Sequence, residues 1–183
     1  MSFETVIYDK QGEIAHVVLN RLKRANLYNV QMRDDLYEVL TAIRDDPEVR
    51  AIIFSGAGSG FCGGADLTEF GTAPSPAVAR EVRWARDVWG LLREMDRLTI
   101  AAMHGYALGS GLEMALQCDL RLAAEGTVFG LPEVGLGLMP AAGGTQGAPR
   151  VAKPGTARAM ILTCERIDAA EAQARSSIYS TNI

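Results

Sequence analysis

The sequence predicts an α/β protein built as one domain. Three observations predict it: 183 residues with 48% hydrophobic and 22% charged side chains, apolar strand-like runs alternating with segments of helical period, and glycine-rich turns between them. A chain of this length can bury one sizeable core, and its charge content is far from that of a disordered polymer.

Residues 3–8 and 13–19 are rich in Val, Ile, Tyr and Phe, and Lys10, Gln11 and Gly12 between them predict a hairpin turn. Over 30–44 the apolar positions Met32, Leu36, Val39, Leu40 and Ile43 recur at helical spacing, with Pro47 just beyond. A short strand follows at 50–54, then a glycine-rich loop. After a loop holding Pro74 and Pro76, one long helix is expected. Val78, Val82, Ala85, Val88, Trp89, Leu92 and Met95 would line its buried face. Further strands are expected at 99–103, 120–123 and 127–129, with a short helix opening after Gly109.

The net charge of −4 argues against a nucleic-acid surface, which needs concentrated Lys and Arg. Cys62, Cys118 and Cys164 are odd in number and far apart, so neither a disulfide framework nor a zinc site is expected. No stretch has the length of a membrane span, and MSFETVIYDK lacks the pattern of a secretory leader. A cytoplasmic protein with free thiols and no metal is the expectation.

Three glycine-rich stretches hold the candidate chemistry. In GSGFCGGADLTEF, residues 58–70, the glycines match GxGxxG. The acidic residue that a dinucleotide site needs about 20 positions later, at a strand end, falls instead in a charged helical segment, so that reading fails. What remains is a loop that can be approached closely at its backbone amides. In HGYALGSGLEMALQCDL, residues 104–120, the chain turns into a helix at Gly109, Ser110 and Gly111, so the first amides point outward unpaired. Such amides stabilise developing negative charge. Ser110 and Glu113 also read as a capping box with no catalytic duty. In FGLPEVGLGLMPAAGGTQ, residues 129–146, Pro132 suits the start of a helical turn with Glu133 behind it, and Gly143 and Gly144 form a turn before another helix. Amides from two loops together with Glu113 and Glu133 are the parts needed to hold an enolate while protons move at adjacent carbons.

These blocks resemble the enoyl-CoA hydratase/isomerase family, the crotonase superfamily. The resemblance runs from HVVLNRLKRANLYN through AIIFSGAGSGFCGGADLTEF to TIAAMHGYALGSGLEMALQCDLRLAA and FGLPEVGLGLMPAAGGTQ, covering nearly all of residues 3–170. It implies a spiral of ββα units with an acyl-CoA thioester as substrate. By the family pattern the amides of Ala65 and Ser110 form an oxyanion hole around the thioester carbonyl. Lys23, Arg24, Ala25 and Leu27 line the CoA path, and Gly63, Asp66 and Leu67 flank the oxyanion position near the adenine and pantetheine, although Asp66 also suits a helix cap. Glu113 and Glu133 fall on the two acidic positions of family hydratases. The pair implies hydration of a 2-enoyl-CoA, with Glu113 activating water and Glu133 supplying the α-proton. His16 and His104 match no catalytic position and are read as structural. The resemblance implies no cofactor beyond the CoA of the substrate, and a homo-oligomer, trimer or hexamer.

The sequence departs from the pattern at Leu22 and Leu98, where proline is frequent, and at Cys164, where glycine is common. After TCERIDAAEAQARS it ends in SIYSTNI, where the family continues into a C-terminal helical region. A single crotonase-like domain over 1–183, lacking most of that region, is the expectation. Double-bond isomerisation, another enolate reaction, or a shortened, catalytically weak acyl-CoA-binding and oligomerising protein are the alternatives.

Overall fold

A computed structural model describes residues 3–176 and 178–181. The chain opens on an antiparallel hairpin, β1 (Val6–Gln11) and β2 (Ile14–Leu19), with Gln11 opposite Ile14. β1 lies three residues later than the sequence predicts, and β2 starts one residue later. Gly12, at φ 60°, makes the turn with Glu13, whereas Lys10 and Gln11 remain in the strand. Asp35 explains why residues 4 and 5 leave the strand. Its buried carboxylate accepts both amides and the Thr5 hydroxyl at 2.7–3.1 Å, a local alternative to strand pairing.

β2 then pairs in parallel with β3 (Ala51–Gly56), β3 with β4 (Leu98–Met103), β4 with β6 (Leu120–Ala124), and β6 with β9 (Tyr179–Thr181). The six-stranded order is β1-β2-β3-β4-β6-β9. A smaller sheet joins β5 (Tyr106–Leu108), β7 (Val128–Gly130) and β8 (Arg166–Asp168) in the order β5-β7-β8. In the large sheet alternate residues are buried: Ala15, Val17 and Leu19 on β2, Ile52 and Phe54 on β3, Ala101 and Met103 on β4. That is the period-two signature of strands with one face on the core.

Helix α1 (Val30–Asp45) buries Met32, Leu36, Val39, Leu40 and Ile43, the stripe the sequence predicts, and Asn29 caps it by accepting the Met32 amide. The predicted long helix is in fact two. α2 (Pro76–Ala85) buries none of its residues, while α3 (Val88–Arg93) buries Val88, Trp89, Leu91 and Leu92. Asp87 makes the break: its carboxylate accepts the Gly90 amide at 3.0 Å and starts a new helix. The apolar period therefore crosses a boundary set by a capping residue, and Val78 and Val82 stay exposed.

Four further α-helices lie among the described residues: α4 (Ser110–Gln117), α5 (Gly144–Val151), α6 (Pro154–Leu162) and α7 (Ala169–Arg175). A five-residue 3₁₀ turn at Pro132–Leu136 stands between β7 and α5, with proline at its start as the sequence predicts. Strands β5, β8 and β9 are too short to predict by alternation. Within SIYSTNI, Ser177, Asn182 and Ile183 lie outside the described residues.

Candidate active site

Strand β5 ends at Leu108, and the next residue, Gly109, takes φ 48° as it turns the chain into α4. Gly109 is itself the cap of the helix, and no side chain caps it. This corrects the capping-box reading. Ser110 stands at the first helical position, so its side chain does not serve as the cap. Glu113 Oε1 instead accepts the amides of Ala142 and Gly144, each at 2.8 Å.

Those amides belong to the turn before α5. Gly143, at φ 115°, is the cap of α5, and Gly144 packs so closely that a β-carbon on it would stand 3.0 Å from Glu113 Oε1. Glu113 is only 2% exposed. Burial pushes its pKa up, opposed by the Gly144 and Ala142 amides, the positive charge of Arg83 and the Ser110 hydroxyl.

Glu133 enters from the 3₁₀ turn after β7. A β-carbon on Gly109 would lie 2.8 Å from Glu133 Oε1, so the absent side chain is what admits the carboxylate. Glu133 Oε2 is buried and has no hydrogen-bond partner among the described residues. Its pKa is raised, first by burial, with the negative charge of Glu113 adding to the rise. Two carboxylates separated by 20 positions in sequence thus share one electrostatic environment.

The same glycine ties this corner to the first glycine-rich loop. A β-carbon on Gly109 would stand 3.6 Å from the Gly64 α-carbon, and Gly64, at φ 113°, sits against the Leu108 carbonyl. The two glycines are packed together, and each is followed by a candidate oxyanion donor, Ala65 and Ser110. Neither amide donates to another described group. Flanking bonds hold them: Tyr28 donates its amide to the Gly64 carbonyl and accepts the Asp66 amide, both at 2.8 Å, while the Gly109 amide donates to Gly130 at 2.9 Å.

The predicted CoA segment also lies beside this loop. The Gly63 amide donates to the Ala25 carbonyl at 2.9 Å, and a β-carbon on Gly63 would stand 3.2 Å from Leu27 Cδ2. Lys23 and Arg24 lie exposed in the preceding 3₁₀ turn, and Leu67 is exposed in the turn after Asp66. Asp66 is committed: it caps that turn by accepting the Thr68 amide and hydroxyl, and pairs with Arg21 at 3.1 Å. These bonds hold its carboxyl below its ordinary pKa. His104 Nε2 lies 2.9 Å from the Gly58 carbonyl, a structural contact.

Two positioning residues, Asn26 and Arg83, are not singled out by sequence reading. Buried Asn26, at φ 54°, spreads its side-chain amide over the carbonyls of Ala57, Gly60 and Phe61 at 2.8–3.2 Å. Arg83, on exposed α2, donates to the Ala141 carbonyl beside the Glu113 partners. Gly111 leaves room for Cys62, whose β-carbon would lie 2.6 Å from a β-carbon at that position. Burial raises the Cys62 thiol to about 11, so it is no nucleophile at neutral pH. Among the described residues no group of three or more His, Cys, Asp or Glu side chains is placed to hold a metal ion.

This corner, with two amides after close-packed glycines, buried Glu113 and half-buried Glu133, occurs in a chain whose residues 9–178 match the sequence model of the enoyl-CoA hydratase/isomerase family. The chain belongs to that family. It is 40% identical over 174 residues to a crotonyl-CoA hydratase of Syntrophomonas wolfei, an alignment spanning 94% of this chain and 66% of that protein. Enoyl-CoA hydratase of Bacillus anthracis superposes with TM-score 0.90 at 34% identity, over 98% of this chain and 70% of that one. Pseudomonas aeruginosa DspI superposes with TM-score 0.91 at 33% identity, over all of this chain and 70% of that one. The fold is therefore crotonase-like, and the chain spans about two thirds of the length of these relatives.

Proposed function

We propose that this protein is an enoyl-CoA hydratase, adding water across the double bond of a 2-enoyl-CoA thioester. The observation that carries the reading is the convergence of Glu113 and Glu133 beside the two unpaired amides of Ala65 and Ser110. In this mechanism the thioester oxygen sits between the two amides, which stabilise it as charge develops there. Glu113 Oε1 is taken by Ala142 and Gly144, leaving Oε2 to orient a water and take its proton as the oxygen attacks the β-carbon. The electron pair of the double bond moves to the thioester oxygen as an enolate. Glu133, whose raised pKa favours its protonated form, then delivers a proton to the α-carbon. Each acid–base role contributes about 10²-fold or more, and each oxyanion donor about 3 kcal/mol.

Gly63, Ala25 and Leu27, in mutual contact beside the oxyanion segment, support a CoA path there, with Lys23 and Arg24 toward solvent and Leu67 on its rim. Asp66 contributes through its cap and its bond to Arg21. The reaction needs no cofactor beyond the CoA of the substrate, and 1–183 acts as one crotonase-like domain. The exposed Val134, Leu136, Leu138 and Met139, on and just after the 3₁₀ turn that packs on α6, support self-association into a trimer or hexamer. Three free cysteines, two of them buried, support a reducing, cytoplasmic location.

The test is incubation of the chain with crotonyl-CoA and product analysis by mass. A mass gain of one water, with loss of the conjugated thioester absorbance, is the expected result. Conversion of a 3-enoyl-CoA to its 2-enoyl isomer without water addition would replace hydration by isomerisation, and tight thioester binding without turnover would make the chain a binding protein.

A further inference from the structure

A cavity of about 720 Å³ opens beside the two-acid corner, between α2, α3 and the turn before α5. One wall is Ala142 and Gly143, whose turn holds Glu113; the opposite wall includes Trp89. Trp89 packs on Tyr28 with ring centroids 5.1 Å apart, and Tyr28 brackets Ala65 through its backbone. The cavity thus adjoins the turn that holds Glu113 and, through Trp89 and Tyr28, the segment that carries Ala65.

Its charge does not follow from the protein as a whole. The chain carries −4, yet Arg80, Arg83 and Arg93 all line this cavity, and none of them pairs with a carboxylate among the described residues. Arg86, in the same stretch, does pair, with Asp34 at 3.6 Å and Glu38 at 3.1 Å. Asp87 is the one acid in the lining, and its carboxylate already accepts the Gly90 amide. Three guanidiniums without a carboxylate partner among the described residues, Arg83 also donating to the Ala141 carbonyl, stand around an indole wall and suit a ligand with an apolar stem and a carboxylate tip, since the planar fork of arginine matches a carboxylate.

Resting on the acyl-CoA reading above, we propose that this cavity takes the far end of the acyl chain and that Arg80, Arg83 and Arg93 select thioesters carrying a carboxylate there. The preferred substrates are then monothioesters of dicarboxylic acids, and simple fatty acyl chains of equal length bind less well.

Calorimetric titration of the whole chain with adipyl-CoA, hexanoyl-CoA and free CoA tests this without turnover, because both acyl chains are saturated. Adipyl-CoA is expected to bind about tenfold more tightly than hexanoyl-CoA, a preference that falls about threefold in each of Arg80→Gln and Arg93→Gln and shrinks with salt. Equal binding of the two thioesters, within twofold, overturns the inference and leaves the acyl-CoA reading standing. Loss of affinity for free CoA in the variants, with the ratio unchanged, also overturns it, because the arginines then read CoA phosphate. Binding of neither thioester overturns both.

Discussion

Glu133 Oε1 occupies the space beside Gly109, 2.8 Å from where a β-carbon on that glycine would stand. Gly109→Ala must move the carboxylate, and it also forces a side chain onto a backbone at φ 48°. We expect a loss of about 1–3 kcal/mol in urea unfolding and a fall of about 10²-fold in crotonyl-CoA hydration. A variant that folds as well as the parent and hydrates at its rate would show that the corner tolerates displacement of Glu133.

Glu133 also sets a pH dependence of stability. Its pKa in the folded protein is raised above the ordinary value of 4.5 by burial and by Glu113, so the folded state holds its proton more strongly than the unfolded chain. The stability from that proton is complete below the ordinary value and is lost as pH rises through the raised one. Glu133→Gln removes this loss. The variant should melt about 2–4 °C above the parent at pH 7, and the gain should vanish near pH 4. A gain that grows toward acid pH would reverse the assigned sign.

Asn26 is the clasp of the loop that leads to Ala65. Asn26→Ala leaves the carbonyls of Ala57, Gly60 and Phe61 without the side-chain donor they share. The expected cost is about 2–3 kcal/mol, read by denaturant unfolding. Hydration should fall as well, because the Gly63 to Ala65 segment follows directly.

Cys164 stands at φ 57°, a conformation that favours glycine, and its Sγ lies 3.1 Å from the Gly135 amide. Comparing two variants separates these features, since Cys164→Ala and Cys164→Gly both remove the sulfur. The glycine variant should be the more stable of the two by about 1 kcal/mol. If alanine is equal or better, the left-handed backbone at 164 carries no strain.

What could be read from the sequence follows periodicity and local rules. The α1 stripe, the apolar strand runs of β2 to β4, and the proline and glycine punctuation at Pro132 and Gly143 are all local, and each lies close to its predicted place. Where a cap interrupts a continuing apolar period, as at Asp87, periodicity misleads and two helices read as one. The site is legible in its parts. Glu113, Glu133 and the glycine-flanked amides are visible as residues, but the bonds from Ala142 and Gly144 to Glu113 join positions 29 and 31 apart. No spacing rule links those. The S-x-x-E pattern points to a cap that Gly109 itself provides, because the preference for a serine cap is weak beside the close packing of Gly109 against Glu133 and Gly64.

In the proposed mechanism two carboxylates from separate turns act as one hydrating site. The direct measurement is the rate of crotonyl-CoA hydration, followed by loss of enoyl-thioester absorbance, in the parent, Glu113→Gln and Glu133→Gln, each first shown to be folded. Both variants are predicted to fall by about 10²-fold or more. A parent that hydrates while either variant keeps its rate within a few-fold would contradict the two-acid site.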